Sequence, residues 1–281
     1  MIARAYLRLH AAWRRLLHLG DVGFVGFWLG VLGRDALHAV DGEMYRRRSS
    51  YHGEEHNTRG LFDWEREALE GHFPERGRLA VIGAGGGREV IALSRMGWPA
   101  WGFECNEALV ETAGRLLRAE RTESHASVAW LPRDEAPPAG EPYDGAIVGW
   151  SAYMLIAGRA RRVRFLSGLR ETVRDDAPVL VSFYTRPGDT PRLRGIARVA
   201  GTIRGALGRE PVEVGDDLAP NYVHRFTRAE IEAELAAGGF RLVAFRPEGS
   251  GPYDSGYAVG RAVPRPAEEG SGSCDSAPTG A

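Results

Sequence analysis

The segment VIGAGGGREV, Val81 to Val90, constrains the fold more than any other, with glycine at all but one position from Gly83 to Gly87. Glycine loses more backbone freedom on ordering than any other residue, so such a run marks a tight turn or a close approach to the backbone. It lies between an apolar run, LAVI, and an amphipathic stretch, REVIALSRMG, which reads as strand, turn and helix. The order then recurs. PAWGFEC precedes NEALVETAGRLLRAER, SVAWLP follows, YDGAIVGW precedes RARRVRFLSGLRETVR, and PVLVSFY ends the series. Strands alternating with helices predict an α/β fold whose mostly parallel sheet carries helices on both faces.

In such sheets ligands bind at the carboxyl ends of the strands, where glycine loops and helix N-termini converge. A dinucleotide fingerprint would need a small residue at position 88, where this chain has Arg88. A phosphate loop would need Gly-Lys-Ser/Thr, and the chain contains no lysine at all. The spacing here is Gly83, Gly85, Gly87. Glu104, about 20 residues beyond Gly83 at the end of the second strand, can accept hydrogen bonds from both hydroxyls of a ribose. Together they point to an adenosyl ligand.

These segments resemble the class I S-adenosylmethionine-dependent methyltransferases over roughly residues 78–262. LAVIGAGGGREV is similar to the family's first motif and WGFECNEAL to its second, which carries the ribose-binding acid. WLPRDEAP resembles the segment whose acid touches the adenine amino group, YDGAIVGWSAY the strand beside the methyl donor, and HRFTRAEIEAELAAGGFRLV the terminal helix–strand unit. The resemblance implies a Rossmann-like, seven-stranded sheet ending in an antiparallel hairpin, FRLVAFRP and SGYAVGRAV. It implies S-adenosyl-L-methionine as cofactor, held by Gly83, Ala84, Gly85, Gly87, Glu104, Cys105, Asp134 and Trp150, with Glu135 the neighbour option to Asp134. The chain departs from the family at Val81, where an acid commonly helps to hold the donor's amino end. Arg88, Glu89 or polar residues of the N-terminal segment are the candidate replacements.

Residues 1–77 read as a helical N-terminal cap, with Leu7, Leu9, Trp13, Leu16 and Leu17 at helical spacing. The apolar run Val22–Gly33 is too short to span a bilayer and is expected to be a buried cap helix, without stable membrane insertion. Residues 78–263 form the expected methyltransferase domain. Within it, 186–221 is a lid-like insertion with one amphipathic helix, Leu193 to Leu207, and Thr227 with Glu230 forms a capping box. The proline-, serine- and glycine-rich tail 264–281 is expected to be disordered. With two cysteines, Cys105 and Cys274, and a formal net charge of −1, neither a disulfide framework nor a nucleic-acid partner is expected. The setting expected is cytoplasmic; no metal site is expected.

Methyl transfer requires orientation and exclusion of water, and a hydroxyl or ammonium acceptor also requires a base. The acceptor expected is a small molecule, methylated at oxygen. The alternatives are a peptide, protein or nitrogen acceptor, or a non-catalytic S-adenosylmethionine-binding module. GWSAY holds the place of the Asp/Asn-Pro-Pro-Tyr/Phe motif that resembling families use on amide or nucleobase nitrogens, which argues against a DNA or RNA nitrogen acceptor. No catalytic residue is singled out: His56, Tyr51 and Asn57 are candidate lid or acceptor contacts, as are Trp150, Ser151, Tyr153 and His224. Arg159–Arg164 is expected to be a solvated helix face.

Overall fold

The structure, a computed structural model, describes residues 2–251 and 253–265. Four helices precede the first strand: α1 (Ile2–Val31), α2 (Arg34–Arg47), α3 (Glu54–Thr58) and α4 (Asp63–His72). The alternating part follows the sequence reading closely. It runs β1 (Leu79–Ile82), α5 (Arg88–Arg95), β2 (Ala100–Glu104), α6 (Glu107–Glu120), β3 (Ala126–Trp130), β4 (Gly145–Val148), α7 (Arg159–Thr172) and β5 (Pro178–Thr185). Then come α8 (Pro191–Ala206), β6 (Asp216–Leu218), β7 (Tyr222–Phe226), α9 (Arg228–Ala237), β8 (Phe240–Arg246) and β9 (Gly256–Ala262).

Strands β3, β2, β1, β4 and β5 pair in parallel in that order; β9 pairs antiparallel with β5, and β8 antiparallel with β9. Together they make the expected seven-stranded sheet with its antiparallel terminal hairpin. The period-two alternation of a strand buries both faces. Leu79, Val81, Ile147 and Leu180 pack with α4, α5 and α6 on one side. Ala80, Ile82, Val148, Val179 and Val181 pack with α7 and α9 on the other. Because both faces are covered, β1 is buried at every position and presents only its carboxyl end to a ligand. The helix expected from the capping box is present as α9: the Thr227 N–H donates to Glu230 Oε2 at 2.7 Å and the Glu230 N–H to Thr227 Oγ1 at 3.3 Å.

Segment 186–221 contains the expected helix, α8, and strand β6, which with β7 just beyond it forms a hairpin that the sequence reading did not foresee. Strand β7 runs parallel to the tip of β5 at Tyr184 and Thr185, and β6 pairs back on it. Helix α1 also differs from expectation. Leu7, Leu9, Trp13, Leu16 and Leu17 are all exposed, and in the apolar run only Val22, Val25, Gly26, Leu29 and Gly30 are buried. The helix docks by this one face on α8, in a small core with Ile196, Ala200 and Tyr222. The approach is close: a Cβ on Gly26 would stand 2.7 Å from Val199 Cβ, and one on Gly30 2.7 Å from Ile203 Cβ. No single helix among the described residues is long and apolar enough to cross a membrane. In the basic stretch of α7, Arg159 and Arg164 are exposed as expected, and Arg162 is the correction. Arg162 is buried, its guanidinium held by Glu234 at 2.8 Å and Glu213 at 2.7 Å, because α7 turns this position toward α9 rather than to solvent. Of the expected tail, 266–281 lie outside the described residues.

Candidate functional site

A cavity of about 370 Å³ opens at the carboxyl ends of β1, β2, β4 and β5. Its floor is the glycine loop. Gly83, Gly85 and Gly87 have φ of +72°, +55° and +94°, where side chains are strained. Gly86 is required for a different reason: a Cβ there would meet the Asn57 side chain at 2.6 Å. Asn57 is buried, donating from Nδ2 to the carbonyls of Tyr51 and Gly53, both at 2.9 Å, so the segment before α4 is pressed onto the loop.

Glu104 closes one side. It is only 8% exposed, and its carboxylate accepts from the Gly85 N–H (Oε2, 2.8 Å) and the Asn106 N–H (Oε1, 2.8 Å). Each oxygen keeps acceptor capacity, and the two amides fix the carboxylate on the cavity wall. Asn106 caps α6 through its side chain, which sets the backbone after Glu104. Beyond it lie Cys105, Leu109, Leu131 and Asp134. Burial, and then the Glu104 charge, push the Cys105 thiol up to about 12, so it serves as apolar lining and not as a nucleophile. Asp134 sits at φ +65°, and its Oδ2 has no hydrogen-bond partner; Arg34 and His38 stand at 3.5 and 3.7 Å.

At the other end, Val81 is fully buried in the sheet, and acidic groups reach the site from elsewhere. Arg88 and Glu65 form a buried two-pronged pair at 2.6 Å and 2.6 Å, and Arg88 Nη2 donates to Glu89 Oε1 at 2.7 Å. Glu89 Oε1 also accepts from the Trp150 N–H at 3.2 Å. One guanidinium between two carboxylates leaves this cluster one negative charge. Burial opposes the Arg88 charge, but Glu89 and then Glu65 outweigh it and hold the guanidinium ionised. Burial raises the Glu65 carboxyl above its usual range, against the pull of Arg88.

The roof comes from α2, the turn after it and α3: Met44, Tyr45, Arg48, Tyr51 and His56. It is latched by Asp41, which accepts from Arg133 and from Asn221 of the β6–β7 turn. Burial pushes the Tyr45 hydroxyl well above its usual range, so it stays neutral. His56 lies edge-on to Tyr51 and 6.5 Å from Trp150 between ring centres. Burial, helped by the Arg88 charge, lowers its pKa, leaving a neutral imidazole near pH 7.

Of the residues singled out from sequence, Gly83, Ala84, Gly85, Glu104, Cys105, Asp134 and Trp150 line the cavity, together with Tyr51, His56, Asn57, Glu135 and Ser151. Gly87 is not on the wall: it caps α5 in the left-handed region, where its position facing Ala113 leaves little room for a Cβ. Tyr153 and His224 are also not on the wall, and both expectations are corrected. Tyr153 is buried and donates to Glu234 at 2.7 Å. His224 is 1% exposed, with Nδ1 2.7 Å from Asp216, because β7 turns it under the hairpin. Sequence reasoning missed Met44, Tyr45, Arg48 and Asn221, whose spacing carries no signal of a roof.

No family model matches the chain, and no curated protein matches it by sequence. Solved structures do. A methyltransferase from Methanosarcina mazei aligns at TM-score 0.56 and 16% identity, covering 73% of this chain and 99% of its own. The 1,6-didemethyltoxoflavin-N1-methyltransferase of Burkholderia thailandensis, solved with its substrate and S-adenosylhomocysteine, aligns at 0.57 and 17%, covering 83% and 92%. The magnesium protoporphyrin IX methyltransferase of Synechocystis, with bound S-adenosylhomocysteine, aligns at 0.50 and 16%, covering 82% and 97%. The likeness is one of fold: the chain has the Rossmann-like fold of S-adenosylmethionine-dependent methyltransferases.

Proposed function

We propose that the protein is an S-adenosyl-L-methionine-dependent methyltransferase acting on a small molecule. The observation that carries the reading is the Glu104 carboxylate, anchored by two backbone amides beside a glycine floor at the ends of β1 and β2. Glu104 would accept from the ribose hydroxyls, and Gly83, Ala84 and Gly85 allow close approach of the donor. Asp134, on the same wall, would accept from the adenine amino group, with Cys105, Leu109 and Leu131 as apolar walls. Glu89, with the net negative charge of its cluster, takes over at the amino end from the acid missing at Val81. The bound sulfonium supplies an electrophilic methyl group. The roof of α2 and α3 excludes water, and Trp150 and Tyr51 orient an aromatic or apolar acceptor.

The acceptor atom we propose is oxygen, with His56 taking the hydroxyl proton. Its support is a neutral imidazole on the cavity wall, whose lowered pKa suits a base at pH 7. A nitrogen acceptor is the second reading, favoured by the N1-methyltransferase among the structural neighbours.

Titration calorimetry with S-adenosylhomocysteine tests the assignment. Two hydrogen bonds to a charged acceptor contribute about 1.5–3 kcal/mol each, so Glu104→Ala should weaken binding roughly 100-fold or more. Binding of a nicotinamide dinucleotide in place of the sulfonium compounds would overturn it. Labelled methyl transfer into small molecules of a cell extract tests catalysis; donor binding without any labelling would support a binding module instead.

A further inference from the structure

We propose that α1 is an interfacial helix that docks the protein on an anionic lipid bilayer. The helix runs from Ile2 to Val31, yet its buried residues all lie between Val22 and Gly30. The preceding part projects from the body with large apolar side chains exposed: Ile2 86%, Leu9 71%, Trp13 57% and Leu16 61%. At about 100° per residue, Ile2, Tyr6, Leu9, Trp13, Leu16, Leu17 and Leu19 fall in one sector about 160° wide. Phe24 and Phe27 continue the stripe, Trp28 lies at its edge, and all three are exposed. Only Leu7 departs from it.

The opposite side is basic. Arg4, Arg8, Arg14, Arg15, His10 and His18 lie there, and no acid occurs before Asp21, which is bound to Arg192 at 2.6 Å. Val22, Val25 and Leu29, the docked residues, lie on this same side. The apolar stripe therefore points away from the body along roughly 40 Å of helix, at 1.5 Å per residue. A chain of net charge −1 thus concentrates uncompensated positive charge on a helix whose apolar face has no partner among the described residues.

Charge decides the occupant. An interfacial helix sinks its leucine and aromatic face to the acyl boundary and keeps arginines level with the headgroups. Anionic headgroups would neutralise them. A second copy packed on the same stripe would cover the apolar face but leave these arginines without a counter-charge, because no acid occurs on this part of the helix. Helix α1 is not long and apolar enough to cross a membrane by itself. Helix α1 bends by 113° into α2, whose Met44 and Tyr45 roof the cavity.

Co-sedimentation of the full chain with large unilamellar vesicles tests this. Binding to phosphatidylglycerol–phosphatidylcholine vesicles should exceed binding to phosphatidylcholine alone roughly tenfold or more, and should fall with added salt. The variant Leu9→Glu/Leu16→Glu changes exposed positions and should keep the wild-type melting temperature while losing binding at least about tenfold. Arg4→Gln/Arg8→Gln/Arg15→Gln should lose the preference for anionic lipid. Absence of vesicle binding overturns the proposal, as does binding unchanged in Leu9→Glu/Leu16→Glu. Light scattering without lipid provides the rival outcome: a dimer dissolved by Leu9→Glu/Leu16→Glu, in a protein that ignores vesicles, assigns the stripe to a second copy.

Discussion

Replacing Arg88 by methionine removes the only cation from a buried cluster of two carboxylates. In the native chain this guanidinium donates to Glu65 at 2.6 Å through each prong, to Glu89 at 2.7 Å and to the Gly60 carbonyl at 3.0 Å, and it lies 3.9 Å from the Phe62 ring centre. Both carboxylates are about as buried as the arginine, so water cannot replace it. Breaking a buried pair by deleting one partner costs about 3–5 kcal/mol, because the survivor stays desolvated. In a chain of this size, 1 kcal/mol corresponds to about 2–4 °C, so Arg88→Met should lower Tm by about 6–20 °C at pH 7.

The loss should depend on pH, with a sign fixed by Glu65. Burial already raises the folded pKa of this carboxyl despite Arg88, and removal of the cation raises it further. A carboxyl whose folded pKa exceeds its unfolded value destabilises the fold as pH rises between the two. The deficit of Arg88→Met is therefore full above the raised folded pKa and shrinks as pH falls toward the unfolded value. Urea denaturation from pH 8 to pH 5 reads this directly. Glu65→Gln added to Arg88→Met should recover more than half of the loss at pH 7, since the amide needs no counter-ion. A deficit under about 1 kcal/mol, or one constant across the pH range, would refute the argument that the cluster is held by charge in a dry site.

Two further outcomes follow from the geometry. If His56 takes the acceptor proton, the acid limb of kcat/KM should fall at a pH below the ordinary imidazole value of about 6.5, because burial and Arg88 lower its pKa; His56→Gln should abolish that limb and cut kcat roughly 100-fold, with S-adenosylhomocysteine binding intact by calorimetry. Gly26→Ile places side-chain atoms where Val199 Cβ already stands 2.7 Å from the added Cβ, an overpacking cost of about 1–3 kcal/mol that should release α1 from α8 and expose it to limited proteolysis, while Gly23→Ile, with nothing within 4 Å, should not.

The sheet was legible because parallel strands buried on both faces read as short apolar runs, and the glycines and Glu104 follow from backbone and ribose chemistry at fixed offsets along the chain. The roof was not legible in the same way. Met44, Tyr45 and Arg48 meet the floor only because Asp41 grips Arg133 and Asn221, residues remote in sequence with no shared period. His224 was misread for a different reason. It was a candidate on the chemistry of its imidazole alone, and the unforeseen β6–β7 pairing buries it.

The same limit explains α1. A 3.6-residue period shows that Leu9, Trp13 and Leu16 share a face, and such a face ordinarily turns inward. Periodicity is blind to which way the helix is anchored, and here the anchor lies on the other side. Gly26 and Gly30 bring α1 against Val199 and Ile203, a contact too close for any larger residue. Small residues at that spacing fix the docked face, so the opposite stripe has to turn outward. The docked glycines, and the arginines that share their side, therefore carry more information about orientation than the leucines do.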